Sequence, residues 1–262
     1  FLSCSSDKHN ENYTPVISGY TMGTTYTVKY LTNIQDNEEV LRNRNTIEDI
    51  LKEINMEMST YIVDSEISQF NSMQNTDWMP ISEDFAFVVQ SSFDYHKISN
   101  GLYDITVMPL VNLWGFGPDK FIDIPTDTEI DSVLMFVGQD LIEIKDNNIR
   151  KKDPRVQIDL SSIAKGYAVD KIIESLNYDN VFVEIGGEVR TKSNSKLWKI
   201  GITTPSIDNI SNQIDYIVPI KNASLATSGN YRNFYFDKDK RFYHHEINPL
   251  TGYPIMSKLA SI

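Results

Sequence analysis

The segment Gln157–Asp170, QIDLSSIAKGYAVD, constrains the chain more than any other, because its apolar period changes within it. Val156, Ile158 and Leu160 alternate with Gln157 and Asp159, the two-residue period of a strand. Val169, Ile172, Ile173 and Leu176 then follow at three- and four-residue spacing, which predicts a helix over about Ile163–Leu176. Ser161 and Ser162 between them are good N-cap residues. The junction therefore presents an acid at a strand end (Asp159), two hydroxyls, free backbone N–H groups and Lys165 in the first helical turn. A helix N-terminus with a lysine suits a phosphate, and an acid beside it suits a metal ion or a ribose hydroxyl. A plain capped helix with a solvated lysine satisfies the same residues, so this segment alone leaves both readings open.

The 262 residues suffice for one large or two modest domains. A formal net charge of -12 excludes a general nucleic-acid binder, since nothing offsets phosphate repulsion. No apolar run is long enough to span a bilayer as a helix. Cys4 is the single cysteine, which excludes an intrachain disulfide and a cysteine-based zinc site. Phe1-Leu2-Ser3-Cys4-Ser5-Ser6 looks like the tail of a bacterial lipoprotein signal, with Cys4 lipidated and Asp7–Thr14 a polar tether. The expected organisation is a signal remnant and tether over residues 1–16 and a folded domain over 17–262. The expected place is the bacterial periplasm, with the chain lipid-anchored to a membrane.

Thr25, Thr27 and Lys29 alternate with Tyr26, Val28 and Tyr30, a half-buried strand. Gly19 and Gly23 bracket Thr21-Met22, which allows close approach to a flat ligand or simply a bulge. Ile47, Ile50, Leu51 and Ile54 make a helical stripe within Glu38–Met58. Asp64-Ser65-Glu66 resembles a second helix start, and Tyr61 sits in the turn before it. Ser82–Ser99 reads as a further helix, closed by Asn100-Gly101. Leu102–Gly117 is expected to hold a strand at Ile105 and Val107, then an apolar loop carrying Asn112, Trp114 and Phe116, either a core lid or a ligand wall. Short strands are expected at Val133–Gly138, Leu141–Lys145 and Asn148–Lys151. Val181–Arg190 reads as one strand with Gly186-Gly187 as an internal bulge, and Trp198–Thr203 and Tyr216–Ile220 as two more. Thr227-Ser228-Gly229 can cradle phosphate oxygens through backbone N–H groups. His244 and His245 follow, and a histidine on a rigid loop near an anion site is a reasonable general base.

Taken in order, GYTMGTTYTVKY, MSTYIVDSEISQFN, GLYDITVMPLVNLWGFG, IDLSSIAKGYAVD, VEIGGEVR, LATSGNYRNFY and HHEINPLTGYP closely resemble the FAD:protein FMN transferase family, the ApbE-like flavin transferases. The resemblance runs from about Ser18 to the last residue. It implies an α+β fold, related to the T-fold, of sheet-and-helix units that enclose a flavin. It implies a flavin transferase that binds FAD and, with Mg2+, splits its pyrophosphate. FMN would pass to a threonine or serine of an acceptor flavoprotein, such as a redox-pump or electron-transport subunit, and AMP would be released. Some members instead hydrolyse FAD to FMN and AMP, and a non-catalytic FAD-binding protein is a further alternative.

Residue by residue, the resemblance places Met22, Tyr61, Leu102, Tyr103, Asp104, Asp159, Lys165, Thr227 and Ile247 at the FAD. It places Ser162 at the magnesium ion, and His245 as the base that deprotonates the acceptor hydroxyl. The family pattern continues past TGYP into a strand and a helix start bearing an Asp and, four residues on, a Thr or Ser that complete the metal site. Ile262 falls inside that strand, so the domain is expected to be truncated and further metal ligands to lie beyond it.

Overall fold

Two tight hairpins and one long helix set the frame. The structure, a computed structural model, describes residues 13–118, 124–205, 214–231, 233–257 and 259–262. In chain order the elements are β1 (Val16–Thr21), β2 (Thr24–Tyr30), α1 (Asn37–Met58), α2 (Glu66–Ser72), β3 (Met79–Pro80), α3 (Glu83–Ile98), α4 (Met108–Leu113), α5 (Asp127–Leu134), β4 (Ile142–Lys145) and β5 (Asn148–Lys151). They continue with α6 (Ser161–Ser175), β6 (Asn180–Ile185), β7 (Glu188–Ser193), β8 (Trp198–Thr203), β9 (Ile214–Ile220), β10 (Ser224–Leu225), β11 (Phe234–Phe236) and β12 (Phe242–His244). This is an α+β chain. Cys4 and most of the expected tether lie outside the described residues.

The main sheet has the order β1-β2-β6-β7-β10. β2 and β6 pair with Tyr26 opposite Ile185, Val28 opposite Val183 and Tyr30 opposite Val181. These six side chains share one face and are buried in the large core with Ile47, Leu51, Ile54, Phe85, Val169 and Ile172 of α1, α3 and α6. The two-residue period thus gives the sheet one helix-covered face. Its other face carries Phe182 and Glu184. There the separate ribbon β8–β9 packs through Trp198 and Ile220 on Val189. A smaller core of Leu110, Trp114, Phe116, Ile130 and Ile247 ties α4 and α5 to β11 and β12. The apolar loop expected to be a lid or a wall is a core piece, since Trp114 stacks on Tyr243 and Phe116 on Tyr235.

The helix starts follow their caps. The Asp36 carboxylate accepts from the N–H groups of Glu38 and Glu39, Ser65 Oγ from Ser68 N–H, and Ser82 Oγ from Phe85 N–H. Asn100 and Gly101, both at positive φ, close α3.

Four expectations are corrected. Gly186-Gly187 is no bulge: both residues have positive φ (56° and 102°) and form the two-residue turn between β6 and β7, as a type I′ hairpin requires. Residues 105–107 form a 3-10 turn leading into α4 rather than a strand. The Asp104 carboxylate caps that turn by accepting from Thr106 N–H and Oγ–H, and a proline opens α4. Residues 133–134 end α5 instead of starting a strand, because Thr126 and Glu129 make a capping box that nucleates a helix there. Residues 156–160 show the expected alternation of burial but are in no sheet.

This last segment satisfies its backbone in another way. The Asn71 side chain accepts from Ile158 N–H (2.8 Å) and donates to Ile158 C=O (2.8 Å), replacing a strand partner. Asp159 N–H donates to Ile105 C=O. Lys151, fully buried, donates its ammonium to the carbonyls of Val156 (3.1 Å) and Asn71 (3.3 Å). Burial pulls the Lys151 pKa down to about 8. The tethered segment then delivers α6 at Ser161, two residues before the expected start, with Leu160 as N-cap.

Asn71→Ala would leave the buried N–H and C=O of Ile158 without partners. It should lower the unfolding free energy by about 2–4 kcal/mol in a denaturant titration. A loss below about 1 kcal/mol would show that the segment pairs by other means.

Candidate active site

The cavity lies over the second face of the main sheet and has a volume of about 870 Å³, a size suited to a large cofactor. Its wall is built from the start of α6, the β6–β7 turn, strand β8, residues 102–104, and the loops around residues 227–229 and 245–249.

At the start of α6 the Asp159 carboxylate accepts from Ser161 N–H (2.6 Å) and, through the same oxygen, from the Ser161 hydroxyl. Asp159 thus caps the helix from outside its first turn. Ser161 and Ser162 are therefore helical residues, not caps, and they line the cavity. The Ser162 hydroxyl donates to the Tyr103 phenol oxygen (3.3 Å). Burial raises the Tyr103 pKa, so the phenol stays protonated. Lys165, in the second turn, donates to Glu188 Oε1 at 2.8 Å. The positive end of a fifteen-residue helix and a lysine share this part of the wall with the Asp159 and Glu188 carboxylates that pair with them.

The loop after β12 supplies the histidine. His245 Nδ1 lies 3.2 Å from Asn233 C=O. A carbonyl only accepts, so Nδ1 carries the proton and Nε2 keeps its lone pair. The ring is exposed to the open cavity, with Phe116 edge-on at 6.5 Å. Desolvation pushes its pKa below the ordinary value. The nearby Lys165 charge and His244 add to that, while the Asn233 carbonyl and Glu246 oppose it. His244 differs: it is buried, its Nε2 meets Ile255 C=O and its Nδ1 accepts from Glu246 N–H (3.3 Å), so both nitrogens are committed to the fold.

Of the residues expected at the site, Leu102, Tyr103, Asp104, Asp159, Ser162, Lys165, Thr227, His245 and Ile247 all line this cavity. Asp104 is buried and its carboxylate is occupied by Thr106 and by Gln139 N–H (3.0 Å), so it braces the wall. Met22 and Tyr61 do not line the cavity. Met22 holds positive φ in the β1–β2 turn and packs on the large core. Tyr61 is 69% exposed, and its phenol pKa is raised by partial desolvation against the neighbouring chain and then by the Asp159 carboxylate. The cavity also takes in Thr24, Glu184, Glu188 and the β8 residues Lys199–Thr203, which sequence reasoning did not single out. Gly186-Gly187, next to Glu188, was the one signal pointing there.

Among the described residues no group of three or more His, Cys, Asp or Glu is placed to hold a metal ion. Magnesium takes near-octahedral oxygen ligation. Asp159 and Ser162 offer oxygens, but they do not make that cage by themselves.

A family model described as the ApbE family matches residues 22–262. The FAD:protein FMN transferase of Haemophilus influenzae is 43% identical over 260 residues, covering 94% of this chain and 74% of that protein. The Vibrio cholerae protein of the same name is 39% identical over 255 residues, covering 94% and 75%. Among solved structures, the flavin transferase ApbE from Vibrio cholerae superposes with a TM-score of 0.82 at 37% identity, covering 95% of this chain and 81% of that one. An ApbE protein from Thermotoga maritima does so with a TM-score of 0.82 at 26% identity, covering 95% and 80%.

The His245 environment makes a pH prediction. Its imidazole should titrate below about 6.5 by NMR. The unfolded ring binds its proton at higher pH than the folded ring. The stability contributed here is therefore present above about 6.5 and lost as pH falls through the folded midpoint. His245→Asn should remove that part of the pH dependence of unfolding. A midpoint at or above the ordinary value would contradict desolvation of the imidazole by the cavity walls.

Proposed function

The chain belongs to the ApbE family, and from that premise we propose that it transfers FMN from FAD to a threonine or serine hydroxyl of an acceptor flavoprotein and releases AMP. The observation that carries this reading is the coexistence, in one cavity, of the α6 N-terminus with Lys165 and of an imidazole whose Nε2 keeps its lone pair.

The chemistry follows from those groups. The pyrophosphate of FAD is held against the α6 N-terminus and the Lys165 ammonium, which offset its charge. The acceptor hydroxyl gives its proton to His245 Nε2, and its oxygen attacks the FMN phosphorus. The new P–O bond forms as the bond from that phosphorus to the bridging oxygen breaks, and AMP leaves with the bridging oxygen. A lowered pKa keeps the imidazole unprotonated and ready for this role at neutral pH. Thr227 lies in the same wall, with its carbonyl oxygen close to Gly187. Magnesium, when bound, would supply further charge neutralisation, and its requirement is part of the proposal. So are the redox-protein nature of the acceptor, lipidation of Cys4, and a periplasmic place on a membrane.

The test is incubation of the protein with FAD and an acceptor domain, with and without magnesium, following AMP, free FMN and acceptor mass together. AMP with an acceptor heavier by one FMN is expected, and chelation with EDTA should stop it. AMP with free FMN and an unmodified acceptor would instead identify a hydrolase, and absence of FAD binding would refute the reading. His245→Ala should retain FAD binding and slow transfer by about 10²–10⁴-fold. Transfer at the wild-type rate would remove His245 from the base role.

A further inference from the structure

We propose that Glu188 is the positioning residue for Lys165, holding its ammonium in the cavity wall where the phosphates of the dinucleotide are bound; the proposal rests on the FAD reading above.

Glu188 is the first residue after the Gly186-Gly187 turn and pairs with Ile185 across the hairpin. Ile185 faces the helices, so the Glu188 side chain leaves the sheet towards α6 and meets Lys165 at 2.8 Å. Among the described residues Glu188 Oε2, which is buried, has no hydrogen-bond partner, and the carboxylate meets Lys165 through Oε1. An unpaired buried oxygen costs stability, and a site that retains one points to a role beyond packing. The other acids in this wall have different work: Glu184 accepts from Gly187 N–H (3.0 Å), and Asp159 caps α6.

A lysine needs such a partner more than an arginine does. Its ammonium sits on a flexible four-carbon stem, and without a fixed acceptor it spreads over many rotamers. Both side chains are about three-quarters buried (28% and 20% exposed), so their attraction is less screened than that of a surface pair. The place of the Lys165 charge can also be read out away from the pair. His245 is acted on by Lys165 from α6, by His244 and Glu246 from its own segment, and by the Asn233 carbonyl. Displacing Lys165 therefore changes His245, although Glu188 does not touch it.

The experiment compares Glu188→Thr, a strand-compatible residue too short to reach Lys165, with Lys165→Met and with the double variant. The NMR titration midpoint of His245 is measured without ligand, and FAD affinity by flavin fluorescence. Lys165→Met should raise the midpoint, and Glu188→Thr should shift it in the wild-type background but not in the Lys165→Met background. Glu188→Thr should weaken FAD binding about tenfold in the wild-type background, the scale of one charge-assisted hydrogen bond. It should have no effect in the Lys165→Met background. Glu188→Gln keeps an acceptor oxygen at the same reach and should hold FAD affinity within about threefold of wild type.

A midpoint unmoved by Glu188→Thr but raised by Lys165→Met would overturn the proposal. So would a Glu188→Gln variant as weak in FAD binding as Lys165→Met. If the midpoints shift as expected but the wild-type protein binds no FAD, the positioning stands and the flavin reading fails.

Discussion

A stretch of chain with no strand beside it governs the site. Residues 156–160 are buried at every second position, so their backbone cannot rely on water, yet no ladder pairs them. The Asn71 amide bonds both polar groups of Ile158, and the Lys151 ammonium holds the carbonyls of Val156 and Asn71. These contacts join α2, β5 and the segment before α6. What they fix is the point at which α6 begins, and with it the positions of Asp159, Ser161, Ser162 and Lys165 at the cavity.

The main sheet performs two tasks because its faces differ. Tyr26, Val28, Tyr30, Val181, Val183 and Ile185 fill the helix side with apolar surface, which drives folding. The alternate residues Phe182 and Glu184 are freed for the cavity side. The small aromatic core around Trp114 and Phe116 then braces the segment that carries His244 and His245. Two neighbouring histidines diverge in consequence. His244 is consumed by Ile255 and Glu246, while His245 keeps Nε2 available towards the cavity.

Local signals were legible where a short range of sequence decides the outcome. The helix start at Asp64-Ser65-Glu66, the helix read over 82–99, the apolar stripe of α1 and the Asn100-Gly101 stop each rest on a few neighbouring residues, and all stand in the structure. Ile105–Val107 misled because alternation over three residues cannot be told from a turn capped by Asp104. Gly186-Gly187 was visible as special, but a bulge and a hairpin turn ask for the same residue, and only the register of β6 with β7 separates them. Met22 and Tyr61, placed at the flavin by resemblance, lie outside the cavity wall, one folded onto the core and the other turned to solvent.

The sequence by itself determined helices α1, α2, α3 and α6, strands such as β2 and β8 and, through seven ordered motifs, the family. Those features rest on periodicity and local capping, which are properties of neighbours along the chain. Tertiary structure alone decided that Lys165 meets Glu188 and that Asn71 stands in for a strand. Each of those pairings joins residues far apart in sequence. Their geometry is set by how the sheet, the helix α6 and the aromatic core pack together, which no local pattern encodes.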